Sequence, residues 1–124
     1  MKEAESWKNT PYAEVGGNSE KGVGGDCSGT VYKIYQDAGL EYPYHSASNF
    51  PQLVNKGYFK EITGEEALPG DVIQWPGHTA IYVEGRGAEA KVHGARRSGI
   101  PYTLSHPAKW FDSRGNRRYF RYAK

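Results

Sequence analysis

Cysteine occurs once in the 124 residues, at position 27. A single thiol excludes an internal disulfide and a cysteine-based zinc site, and it leaves the redox compartment open. No apolar run approaches the roughly 20 residues of a membrane span. The opening residues, Met-Lys-Glu-Ala-Glu-Ser-Trp, carry no apolar core like that of a cleaved secretion signal. The expectation is a cytosolic protein, one exported by a route without such a signal, or a piece of something larger. Net charge is small, +2. What positive charge there is gathers late, in Arg114, Arg117, Arg118, Arg121 and Lys124. Such a patch suits nucleic acid, a membrane surface or an anionic wall polymer. The interleaved aromatics of RGNRRYFRY suit stacked bases too. They suit better an exposed strand with Tyr119 or Phe120 turned inward, so no nucleic-acid partner is expected.

Aromatics and turn formers are plentiful. Ten Tyr, four Phe and three Trp supply core bulk, and 16 Gly with seven Pro predict many turns and short strands. The length fits one domain over residues 1–124. Residues 13–25 read as a glycine-rich loop. After it, Val31, Ile34, Tyr35 and Ala38 fall on one helical face, with Asp26 at the N-cap and Gly39 past the end, which predicts a helix over Cys27–Ala38. A shorter helix is predicted near Ala47–Lys56. Strands are predicted within Gly57–Ile62 and at Val72–Trp75, His78–Val83, Ala90–His93, Tyr102–Leu104 and Arg118–Tyr122, with a helical turn at Pro107–Trp110. Helices first and an antiparallel sheet later is the α+β order.

The lone cysteine opens the predicted helix. The positive end of a helix dipole and a nearby imidazolium can lower a thiol pKa from about 8.5 to roughly 3.5–7.5. Glycines on either side let a substrate backbone approach. The bland alternative is a small buried hydrophobe. The loop lacks the Lys-Ser/Thr ending of a phosphate-binding loop, and no strand precedes it. A thiolate nucleophile needs a base and an orienting partner. His45 reads as a loop residue, and His106 as a residue before Pro107 that caps the helical turn there. His78 opens one predicted strand and His93 ends its partner. A hairpin of 78–83 with 90–93 is expected to set both at one sheet end, where one imidazole can hydrogen-bond the other.

Two blocks, GGDCSGTVYKIYQDAGL and LPGDVIQWPGHTAIYV, resemble the NlpC-type cell-wall cysteine peptidases, a branch of the papain-like fold. Pro11-Tyr12, Gly16-Gly17, Asp26-Cys27-Ser28-Gly29, Pro69-Gly70-Asp71 and Gly77-His78-Thr79-Ala80-Ile81-Tyr82 follow that family's order, and with His93 the resemblance covers most of the chain. It departs at Glu14-Val15, at the extra Gly24-Gly25, and in the long loop 84–90. The resemblance implies a nucleophile at Cys27, a base at His78 and an orienting residue at His93. It further implies substrate contacts at Tyr12, Asp26 and Ser28, and no metal or cofactor. The implied reaction is cleavage of amide bonds in peptidoglycan stem peptides, often at γ-D-glutamyl-diamino acid linkages, in the periplasm or outer wall. A free-standing domain of this size further resembles secreted amidase effectors, for which a cognate immunity protein is expected, and a monomer. Alternatives are an acyl-transferase or deamidase on the same dyad, or a non-catalytic wall- or nucleic-acid-binding module.

Overall fold

The apolar residues beyond position 57 resolve into six antiparallel strands in a computed structural model that describes residues 1–124. They are β1 (Phe59–Ile62), β2 (Val72–Trp75), β3 (His78–Glu84), β4 (Lys91–Gly94), β5 (Thr103–Pro107) and β6 (Arg118–Tyr122). Their order across the sheet is β1-β6-β2-β3-β4-β5, so the last strand lies between the first two. Three short helices precede or flank the sheet: α1 (Lys2–Glu5), α2 (Cys27–Asp37) and α3 (Gln52–Asn55). The α+β class agrees with the sequence, and so do the strand positions except at β5, expected over Tyr102–Leu104 and found at Thr103–Pro107, which takes in the first residue of the expected helical turn.

Capping sets where α2 begins. Asp26 is extended, and its Oδ1 accepts the Gly29 amide at 2.8 Å, satisfying an amide that the first turn leaves unpaired. The helix ends at Asp37, one residue early, and Gly39 takes φ +83. Val31, Ile34 and Tyr35 are buried, but Ala38 is exposed. The helix expected over Ala47–Lys56 is broken in two, a 3-10 turn at Ala47–Asn49 and then α3. Pro51 falls between them and has no amide to donate. α1 was not expected, and it comes just before Trp7 in the core.

Side-chain alternation separates two cores. On the face under α2, Val72, Ile81 and Phe120 pack with Val31, Ile34, Phe50, Leu53 and Phe59. Aromatic edges tighten this side, with ring centroids 4.9 Å apart for Phe50–Phe59 and 5.1 Å for Tyr42–Phe59. On the opposite face, Ile73, Trp75, Ala80, Tyr82 and Val92 are covered by Ala108 and Phe111. These two belong to a 3-10 segment, Ala108–Arg114, longer than the turn predicted. The C-terminal cations are mostly committed. Arg117 pairs with Asp112, Arg118 with Glu61, and Arg121 with Asp71. Phe120 is the inward residue of the last strand, which accounts for the basic-aromatic run as a strand.

Candidate active site

Cys27 is the first residue of α2 and is half-buried. Glycine packing builds the ground around it. A Cβ on Gly29 would lie 2.1 Å from the Gly16 carbonyl oxygen and 2.1 Å from Ser19 Oγ. Only glycine lets the 16–19 loop rest on the first helical turn. Asp26 locks the same contact, because its Oδ2 accepts the Gly16 amide at 2.9 Å while Oδ1 caps the helix. Tyr12 is brought alongside by a short parallel pairing, in which the Gly25 amide donates to Pro11 O and the Ala13 amide to Gly25 O. Ser28 is buried, and its hydroxyl lies 2.7 Å from that of Tyr44. The Tyr44 ring lies over Gly16 and Gly17, where added Cβ atoms would meet it at 2.9 and 3.3 Å. Asp26 and Ser28 therefore hold the frame of the site.

The expected lowering of the Cys27 pKa is not what this surrounding produces. Burial pushes the thiol up and outweighs the rest. Thr79 and the Ser28 amide face the sulfur and pull the other way, with the buried Thr79 hydroxyl making no formal hydrogen bond, while the Asp26 charge adds to the rise. The Cys27 thiol therefore stays protonated at neutral pH.

His78 opens β3 opposite Trp75. Alternation sends its ring to the face opposite that of Thr79, which meets Cys27. There it stacks on Phe111 with centroids 4.0 Å apart, beside Trp75 at 5.4 Å. Its Nε2 has no partner. Burial, then the charges of Arg114, His106 and Arg96, lowers its pKa to about 3. The imidazole is neutral at physiological pH.

His93 is not beside His78. The hairpin forms, but its register sets His93 against Ile81. That is three positions from His78, about 10 Å along the strand, and on the other face. The loop before β4 determines this: a 3-10 turn at Gly87–Glu89 and a bulge at Tyr82–Glu84 set the count between the strands. His93 Nδ1 accepts the Ser105 amide at 2.9 Å, and burial lowers its pKa. His106 pairs with Val92 and so shares the face of His78, with Phe111 against both rings. Its place in β5 also corrects the helical-turn cap expected of it.

The family model described as NlpC/P60 matches residues 9–114. The chain belongs to the NlpC/P60 family. It is 32% identical over 120 residues to the bifunctional muramidase/DL-endopeptidase CwlT of Bacillus subtilis (strain 168), covering 90% of this chain and 33% of that protein. A solved structure of a hypothetical invasion protein of Mycobacterium tuberculosis superposes with a TM-score of 0.72 at 25% identity, covering 99% of this chain and 60% of that one. The chain thus spans about a third of the one relative and less than two thirds of the other.

Within this NlpC/P60 domain, four site residues escaped the sequence reading: Tyr44, Thr79, Phe111 and Arg114. Thr79 was legible in principle, as the residue after His78 in a strand of period two. Tyr44 reaches the site from a loop and Phe111 from the 3-10 segment Ala108–Arg114, neither with a periodic signal. The described residues gather no cluster of three or more His, Cys, Asp or Glu that would hold a metal. No helix is long and apolar enough to cross a membrane.

Proposed function

We propose that the protein is a cysteine peptidase that cuts amide bonds in peptidoglycan stem peptides, at the γ-D-glutamyl-diamino acid linkage, and so acts on the cell wall. The observation that carries this reading is the family match over residues 9–114, with the family's cysteine at the start of α2 and its sulfur against Thr79. The relative named a DL-endopeptidase supports the substrate class.

In this mechanism both partners begin neutral. His78 takes the Cys27 proton as the sulfur adds to the scissile carbonyl carbon. The Cys27 amide, which has no hydrogen-bond partner, faces the developing oxyanion, and Tyr12 borders it. The imidazolium returns its proton to the leaving amine as the C–N bond breaks, leaving a thioester. Water, deprotonated by His78, adds to the thioester and releases the acid and the thiol. Asp26 and Ser28 serve the substrate through the frame they hold. For this chemistry the His78 ring has to leave Phe111 for the Cys27 side.

That orientation favours a second reading, a wall-peptide-binding module without turnover. Digestion of purified peptidoglycan sacculi with mass analysis of the products decides between them. New peptide termini from wild type, absent with Cys27→Ala, support the peptidase. Binding to sacculi with no new termini supports the module.

A further inference from the structure

Of the four arginines that close the chain, three are held by carboxylates and one is not. Arg114 makes no ion pair and no hydrogen bond to another residue, and it is exposed. The backbone that carries it is nevertheless fixed. It ends the Ala108–Arg114 segment, and the following Gly115, at φ 142, packs so closely on Pro76 that an added Cβ would lie 3.0 Å from the proline ring. The guanidinium then lies over Gly77, 3.4 Å from where a Cβ would stand, at a turn residue with φ +76. Gly77 directly precedes His78. Arg114 is also near enough to act electrostatically on both His78 and Tyr12. The site thus has an uncommitted cation on one side and Asp26 on the other, where both carboxylate oxygens already accept main-chain amides.

A guanidinium without a partner suits a planar anion, which it can hold with two parallel N–H···O bonds. In a γ-linked glutamyl peptide the free α-carboxylate stands three carbons from the scissile carbonyl, within reach of a group bordering the site. We infer that Arg114 is a specificity-determining residue that recognises this carboxylate, so that the domain discriminates against stem peptides in which it is amidated. The inference rests on the peptidase reading above and adds a substrate preference to it.

The experiment compares kcat/KM for L-Ala-γ-D-Glu-diaminopimelate and for the same peptide with the glutamyl α-carboxylate converted to a carboxamide. Wild type is expected to favour the carboxylate peptide by about 10- to 100-fold, chiefly through KM. Arg114→Ala is expected to bring the ratio close to one, and Arg114→Lys to restore part of it. Arg118→Ala, which also removes one positive charge but at the pair with Glu61, is expected to keep the wild-type ratio. A wild-type ratio near one overturns the inference while the peptidase reading stands. So does an Arg114→Ala variant that loses activity equally on both peptides. If wild type cuts neither peptide, the peptidase reading falls, and NMR titration of wild type with the same two peptides tests Arg114 alone. Carboxylate-selective binding lost in Arg114→Ala then upholds it, and equal binding overturns it.

Discussion

The two faces of the sheet are built on different terms. Under α2, large apolar and aromatic side chains interlock, and capping and glycine contacts fix the helix start that carries Cys27. On the far face, a single 3-10 segment covers His78, stacked on Phe111, and His106, edge-on to the same ring, and the Nε2 atoms of both histidines lack partners. Buried polar atoms without partners cost free energy; the His78 ring is held by stacking, and the His106 ring adds only one hydrogen bond, of its Nδ1 with the Thr103 carbonyl at 3.2 Å. On the peptidase reading, the contrast gives rigidity to the proposed nucleophile, Cys27, and freedom to the proposed base, His78. A half-site that must present an attacking atom at fixed geometry is overdetermined, while the half-site that must move lies under a thin cover.

The largest test removes the reacting atom. Cys27→Ala is expected to lower sacculus digestion by roughly 10³-fold or more while circular dichroism is retained. Loss of folding in that variant would mean that the sulfur is a packing group.

Next comes the framework of the helix face. Phe59→Ala is expected to cost about 3–5 kcal/mol of unfolding free energy. Phe111→Ala on the far face is expected to cost clearly less in urea denaturation, because its cover is thin. Equal costs would erase the contrast. Gly29→Ala, whose Cβ meets backbone oxygen at 2.1 Å, is expected to displace the 16–19 loop and lower activity along with stability.

Titration sharpens the comparison further. His78 and His106 have pKa values lowered to about 3 and about 4. Unfolded histidines near 6.5 bind protons that the folded ones refuse, so the unfolded state gains as pH falls. Stability is therefore expected to be complete above about pH 6.5 and to decline toward pH 3, and His106→Phe is expected to flatten that decline. On the other face, the Cys27 alkylation rate with iodoacetamide is expected to rise with a midpoint above that of a free thiol. A midpoint near neutrality would show His78 already turned to the sulfur.

The smallest effect belongs to the exposed pair Arg118–Glu61. Its removal is expected to change stability by about 1 kcal/mol or less, and His93→Ala to impair catalysis less than His78→Ala.

How much of this was legible follows the same division. The α2 start could be read because capping residue, cysteine and apolar period are adjacent in sequence. β2 and β6 were placed to the residue by their flanking turns. The register of the β3–β4 hairpin was not legible, because a bulge and a 3-10 turn change the count without changing the apolar pattern, and with it went the pairing of His93 with His78. The direction of the Cys27 shift was missed for a related reason. Local sequence shows the helix dipole, but burial is a tertiary quantity. The Phe111 cover comes from a segment more than 30 residues beyond His78 in the chain.

The place of β6 between β1 and β2 has a consequence for synthesis. Glu61 and Arg118, paired across the sheet, are 57 residues apart in sequence. A chain emerging from the ribosome has Cys27 and α2 long before it has the strand that joins β1 to the rest. Until residues 118–122 have emerged, β1 lacks its neighbour and β2 exposes an open edge, the kind of edge that recruits other chains. Assembly of the sheet is therefore gated by β6, the last of its six strands to be synthesised.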